Sequence, residues 1–136
     1  MKERSQNLLK VRPEIKTTQI NPMMSDGERF QNETLRPILK MQNDLFIEVF
    51  KNYIKKHKNA FYELSLEQRL DYIAKAIQKD IKLRNSLKGM VIGQFTVEEY
   101  RIYIQNSSAL NKRMMNMVIK RLKDQIQLLE RIQLAY

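Results

Sequence analysis

The sequence predicts an all-α protein, a compact bundle of four to five helices with a flexible basic N-terminal arm. Glycine and proline are scarce, with three of each in 136 residues, whereas sandwiches and barrels need many turn residues. Helix-capping patterns recur along the chain, and the segments after them carry apolar residues at helical spacing. No segment outside the arm alternates apolar and polar residues over a strand length. We therefore expect residues 1–24 to form the arm and residues 25–136 a single helical domain.

The arm differs in composition from the rest of the chain. It contains Pro13 and Pro22, scattered apolar positions, and five basic against two acidic residues, a net charge of +3. Such a terminal segment is typical of a flexible extension. Because Met23 and Met24 stand just before the first predicted helix, part of the arm also fits a misassigned start codon.

The first helix is predicted over residues 26–57. Ser25 and Glu28 have the spacing of a capping box, in which each side chain bonds the backbone N–H of the other residue. Pro37 lies inside this helix and predicts a kink or a short preceding helical turn. The core-facing stripe is predicted to consist of Leu35, Ile38, Leu39, Leu45, Phe46, Val49, Phe50 and Tyr53.

Ser65 and Gln68 form a second capping box, which begins a helix predicted to reach about Leu83. The following "NSLKGMVIGQ" is either a bent continuation or a separate short helix. The apolar stripe of this second helix is predicted to be Leu66, Leu70, Ile73, Ala74, Ile77 and Ile81.

Thr96 and Glu99 form a third box, which opens a short helix that ends near "QNSS". Ser107 or Ser108 then caps the last helix, predicted over about residues 109–131. Its apolar positions form two adjoining stripes that cover more of the circumference than packing on one side requires. We expect the second stripe to contact a partner, most simply a second copy in a two-fold dimer. The predicted interface residues are Met115, Ile119, Leu122 and Ile126.

Two glycines one helical turn apart, Gly89 and Gly93, are predicted to mark a helix crossing, because a missing side chain lets another helix approach. Gly93 also fits a left-handed helix cap. The spacing G-x-x-x-G lacks the lysine and the preceding strand of a phosphate-binding loop.

Composition excludes several kinds of chemistry. The chain has no cysteine, so disulfides, thiolate metal sites and cysteine nucleophiles are impossible. The one histidine, His57, is expected at the end of the first helix, where positive charge complements the helix dipole. We predict no catalytic residue, no metal ligand and no cofactor, which favours a non-enzymatic role without excluding an enzyme. No apolar run approaches the ~18 residues of a membrane span, and we expect a cytoplasmic protein.

The net charge of +10 favours acidic partners, with nucleic acid as one candidate. Basic residues recur on the second helical segment and on the last helix, where they can merge into one surface. At the start of the last helix, free N–H groups and neighbouring side chains also offer an anion site. The candidate anion or nucleic-acid contacts are Ser107, Ser108, Lys112, Arg113, Lys120, Arg121 and Lys123.

Three stretches together resemble a family of short bacterial proteins of unknown role. These are "RFQNETLRPILKMQNDLFIEVFKNYIKKHKNAFYELSLEQRLDYI", "IQKDIKLRNSLKGMVIGQFTVEEY" and "NSSALNKRMMNMVIKRL", within roughly residues 25–130. Some members carry the label "glyoxalase". That label would imply a metal-dependent lyase built from paired βαβββ units, acting on a thiol adduct of methylglyoxal.

The sequence thus favours an interaction or regulatory protein that self-associates or binds a protein partner through its last helix. Nucleic-acid binding is one alternative, and the glyoxalase-like lyase that the resemblance implies is another.

Overall fold

A computed structural model describes residues 2–14 and 22–130, and every regular element in these residues is helical. This confirms the all-α prediction, and the βαβββ units that the label implies do not occur in these ranges. The α-helices are α1 Lys2–Val11, α2 Asp26–Phe30, α3 Arg36–Lys56, α4 Leu66–Lys79, α5 Ile81–Ile92, α6 Val97–Tyr103 and α7 Ser107–Asp124. Shorter elements are a π-helical segment, Gln31–Leu35, and 3-10 turns at Ala60–Glu63 and Ile126–Leu129. None of the described helices is both long and apolar enough to span a lipid bilayer.

The predicted first helix is divided into α2, the π-helical segment and α3. Ser25 Oγ accepts a hydrogen bond from the Glu28 backbone N–H at 3.2 Å, so α2 begins at the predicted cap. The backbone stays helical from α2 through the π-helical segment into α3, and Pro37 is the second residue after the π-helical segment. The missing N–H of the proline is therefore accommodated by a local π-helical turn within a continuous helical path.

Asp80 separates α4 from α5, whereas the sequence predicted one helix to about Leu83. The Asp80 backbone is extended, and its Oδ1 accepts from the Leu83 backbone N–H at 3.1 Å. Because an aspartate in this conformation caps a new helix, the chain turns there without a loop. The capping boxes at Ser65 and Thr96 are confirmed, with both reciprocal hydrogen bonds present.

The buried apolar side chains form one contiguous core, to which α3, α4, α5 and α7 contribute most. Three residues predicted to face this core are exposed instead. Leu45, Leu66 and Ile81 expose 50%, 63% and 62% of their surface. Leu66 and Ile81 are the first residues of α4 and α5, and Ile81 follows the change of direction at Asp80. Ile47, Ile54 and Ala76 are buried where the predicted stripes left them out.

The helix crossing predicted at Gly89 and Gly93 is wrong. Both glycines are exposed, and a Cβ added to Gly89 would meet no atom within 4 Å. The Gly93 backbone has φ −60° and ψ −17°, so it is right-handed and not the predicted left-handed cap. Both residues are exposed at the end of α5, and no neighbouring helix fills the space beside Gly89.

Gly89→Ala is therefore expected to raise the free energy of unfolding by about 0.5 to 1 kcal/mol. Alanine has the higher helix propensity and here meets open space. Urea denaturation followed by circular dichroism measures the change. Gly93→Ala is the matched control, because its Cβ would lie 3.0 Å from the Gly89 carbonyl oxygen and so gain less. If Gly89→Ala were less stable than the wild type, the result would support the predicted helix crossing at Gly89.

Helix α1 occupies part of the predicted arm, in a segment to which the sequence assigned no regular structure. Its Arg4 donates to the backbone carbonyls of Phe95 and Gly93 at 2.7 and 2.8 Å. Arg12, the residue after α1, donates to the Gln94 carbonyl at 3.0 Å. Helix α1 has no buried residue, so these arginines attach it to the segment between α5 and α6. Residues 1 and 15–21 of the predicted arm lie outside the described residues.

A partly buried ion pair completes this attachment. Arg12 donates two hydrogen bonds to the Glu99 carboxylate, at 2.7 and 2.9 Å, and the two side chains expose only 6% and 15% of their surface. Thr34 Oγ1 also donates to Glu99, at 2.9 Å. Burial acts to raise the pKa of Glu99, but the hydrogen bonds from Arg12, Thr96 N–H and Thr34, with the Arg12 charge, hold it below the ordinary value.

Candidate functional site

Helix α7 uses most of its circumference for the core. It contacts α3, α4, α5 and the π-helical segment, and both of its apolar stripes are covered within one chain. Met115, Ile119 and Leu122, predicted as an interface, expose only 7%, 7% and 1% of their surface, and Ile126 packs half-buried against the core. That prediction is wrong, since the second stripe is buried against other helices of the same chain.

The side of α7 that is left exposed is strongly basic. A groove of about 570 Å³ runs between this side and the residues around the start of α3. We call it the arginine groove. Its lining residues are Gln31, Arg36, Arg113, Asn116, Met117, Lys120, Arg121, Asp124 and Gln125.

Neutral amides hold the three guanidinium groups of the arginine groove. Each arginine donates to a side-chain amide oxygen, and none of them forms an ion pair with a carboxylate in the described residues. The pairs are Arg113 Nη1 with Gln31 Oε1 at 2.8 Å, Arg36 Nε with Asn32 Oδ1 at 2.8 Å, and Arg121 Nη1 with Asn43 Oδ1 at 3.3 Å. An amide orients a guanidinium without neutralising it, so the positive charge of the groove is preserved.

The local electrostatics agree with this arrangement. Burial, and after it the charge of Arg36, lowers the pKa of Arg121 below its ordinary value, although a guanidinium stays protonated at neutral pH. Asp124 is the one acidic side chain among the lining residues, and it accepts a hydrogen bond from Lys120 at 2.7 Å. An anion in the groove would therefore meet mainly uncompensated positive charge.

A second groove of about 340 Å³ lies on the other side of the exposed α7 surface. We call it the lysine groove, and its cationic residues are Arg84, Lys88 and Lys112. No acidic side chain lines it among the described residues. Asn116 lines both grooves, so it stands on the ridge between them.

The predicted anion contacts divide between these features. Arg113, Lys120 and Arg121 line the arginine groove, and Lys112 lines the lysine groove. Ser107, Ser108 and Lys123 line neither groove. Neither serine is the cap of α7, because Asn106 occupies that position without a side-chain hydrogen bond.

Arg36 was missing from the predicted contacts. It stands beside Pro37, next to the π-helical segment, and reaches α7 only through the tertiary fold. The one local signal is Asn32, which precedes Arg36 by about one helical turn and whose Oδ1 accepts from Arg36 Nε.

The remaining candidates for chemistry are accounted for by local contacts. His57 caps α3, its Nδ1 lies 2.9 Å from the Tyr53 carbonyl oxygen, and its exposed ring stacks on Tyr53 at 4.0 Å between centroids. This is the helix-end position that the sequence predicted. Within residues 2–14 and 22–130, no three His, Asp or Glu side chains come together as a set of metal ligands.

Comparison with known proteins adds no relative to this picture. No family model matches the sequence, and no curated protein or solved structure is significantly similar to it. The charged surface of α7 is therefore the feature of the described residues that bears most directly on function.

Proposed function

We propose that this protein is a non-enzymatic binding protein that holds the phosphate backbone of a nucleic acid on the exposed side of α7. One observation carries the proposal: seven cationic side chains line the two grooves beside this helix, against one acidic side chain that is already paired with Lys120. Lysine and arginine side chains in such a concentration displace the counterions that surround phosphates, which drives binding.

The placement of the grooves favours a duplex over a single strand. The cations of the two grooves lie on both sides of the exposed face of α7, and Asn116 stands between them. Two separate rows of cations suit the two phosphate backbones of a duplex, which lie on either side of a groove. No aromatic side chain lines either groove among the described residues, whereas single-strand binding relies on stacking bases against aromatic rings.

The test is the salt dependence of binding to a duplex oligonucleotide, measured by fluorescence anisotropy. Engagement of most of the seven cations predicts a loss of affinity of about a thousandfold between 50 and 200 mM salt. The paired substitution Lys88→Gln and Lys112→Gln, both in the lysine groove, should reduce the slope of log affinity against log salt by about 2.

The matched control is Lys55→Gln with Lys56→Gln. These lysines are exposed at the end of α3 and line neither groove, so the slope should not change beyond a small long-range effect. If both paired substitutions changed the slope equally, the binding would depend on net charge alone, and a site on α7 would be refuted. A single strand of the same sequence should bind more weakly than the duplex.

A further inference from the structure

We infer that the arginine groove is a site for a dianionic phosphate group, a phosphomonoester or inorganic phosphate, bound by Arg36, Arg113 and Arg121. The inference goes beyond the proposed function, because it requires neither a duplex nor the lysine groove. The ligand is defined by its charge and its tetrahedral oxygens, whether it is free in solution or stands at the end of a nucleic-acid strand.

The charge balance of the groove selects a dianion. A backbone phosphodiester carries one negative charge, whereas a phosphomonoester has a second pKa near ~6 and carries close to two charges at pH 7. Three guanidiniums bonded only to neutral amides leave three positive charges. A dianion neutralises two of these positive charges, whereas a phosphodiester neutralises one. Asp124 repels the dianion only weakly, because Lys120 offsets its charge.

The hydrogen-bonding capacity of the three arginines also fits a phosphate. A guanidinium has five N–H donors in a planar fork that matches two phosphate oxygens. One donor of each arginine is directed to its amide, which fixes the plane of the group. The remaining donors are available to oxygens in the groove. Because the guanidinium groups are already oriented, they lose less conformational entropy when a phosphate binds.

Gly27 provides an independent indication that the position of Arg113 is built into the fold. A Cβ on Gly27 would lie 3.0 Å from Arg113 Nε and 3.2 Å from Arg113 Nη2. The guanidinium thus packs directly against the bare backbone of α2. Because these atoms belong to the flexible end of a side chain, alanine at position 27 would displace the guanidinium while leaving the fold intact. Gly27 is therefore a positioning residue for this site.

The experiment is an NMR titration of the full chain with phenyl phosphate at pH 7.5, followed through the arginine side-chain signals. We expect saturable binding that Arg36→Gln weakens about tenfold, the loss of one charge-assisted contact. Gly27→Ala should weaken it about threefold or more without changing the net charge. Lys55→Gln and Gly89→Ala, both remote from the groove, should bind as the wild type does. Circular dichroism confirms that each variant is folded.

The pH dependence gives a second readout. At pH 5.0 phenyl phosphate is mainly a monoanion, so its binding should weaken, whereas sulfate remains a dianion and should not weaken. The charged side chains that line the groove are four cations, Arg36, Arg113, Lys120 and Arg121, and one carboxylate, Asp124. Acidification can only make this lining more positive, which would favour both anions, so the lining cannot produce a loss confined to phenyl phosphate.

The outcomes separate this inference from the proposed function. Saturable phosphate binding without duplex binding would support the site alone. Salt-dependent duplex binding with no saturable phosphate signal, or with no effect of Gly27→Ala, would overturn the site and leave the proposed function standing. Tighter binding of a 5′-phosphorylated than of a 5′-hydroxyl oligonucleotide would identify a strand end as the source. Equal binding of the two, with inorganic phosphate still binding, would identify a free phosphate compound.

Discussion

Arg12→Ala is expected to lower the free energy of unfolding by about 3 kcal/mol. The substitution removes both hydrogen bonds to Glu99 and the one to the Gln94 carbonyl, and it leaves a carboxylate that is only 15% exposed without its counter-charge. The expected loss lies at the lower end of the range for buried pairs for two reasons. Glu99 keeps its donors from Thr34 and Thr96, and Arg12 Nε is itself buried without a partner in the described residues.

Urea denaturation followed at 222 nm measures this loss, and Lys10→Ala provides the matched control. Lys10 is an exposed cation in the last turn of α1, so its removal should change the stability by no more than about 0.5 kcal/mol. Glu99→Gln and the double variant complete a cycle that isolates the pair. A double variant whose loss equals the sum of the two single losses would show that the two side chains do not interact.

Acidification tests the direction of the Glu99 pKa shift. The pKa of Glu99 is lower in the folded protein than in the unfolded chain, so its contribution is fully present above the unfolded pKa. That contribution is lost as the pH falls through the folded pKa. The stability difference between the wild type and Glu99→Gln should therefore shrink on acidification.

Phe50→Ala is expected to cost about 3 to 5 kcal/mol of unfolding free energy, the range for deleting a buried aromatic ring. Phe50 is fully buried, stacks on Tyr53 at 5.6 Å between ring centroids and meets Phe61 and Tyr72 edge-on at 6.3 Å. Tyr53 and Phe61 both also contact Tyr72, so a ring that moved into the cavity would disturb the contacts that remain. Chemical denaturation measures the loss, provided that the variant folds.

Leu45→Ala is the control on the same helix, since half of the Leu45 surface is exposed. Its cost should be well below that of the Phe50 variant. If Phe50→Ala does not fold, Phe50→Leu is measured in its place. The Phe50→Leu protein should still be clearly less stable than the wild type. Equal losses at positions 45 and 50 would contradict the assignment of the core.

The sequence predicted those parts of the fold that depend on local chemistry. Ser65 and Thr96 cap their helices as their spacing indicates, because a capping box is complete within four residues. The junction between α4 and α5 at Asp80 was not predicted. The apolar stripe continues past it, and periodicity alone does not distinguish one long helix from two helices joined by a single capping residue.

Contacts between distant parts of the chain could not be predicted in this way. Glu99 was explained as a helix-start residue, which it is, but Arg12 lies 87 positions away and carries no pattern that points to it. The two stripes of α7 were recognised, but a wide apolar circumference has the same pattern whether a partner or the same chain covers it. Arg36 reaches the candidate site only because the π-helical segment and α3 pack beside α7.

The attachment of α1 also has a consequence for how the protein opens. A helix with no buried residue, bonded mainly through two arginines, can detach while the core stays folded, and such units exchange their amide hydrogens through local opening. Detachment breaks the Arg12–Glu99 pair, so the free energy of this opening is set largely by that pair. Helix α1 is thus expected to be cleaved by proteases, and to detach in acid, before the core unfolds.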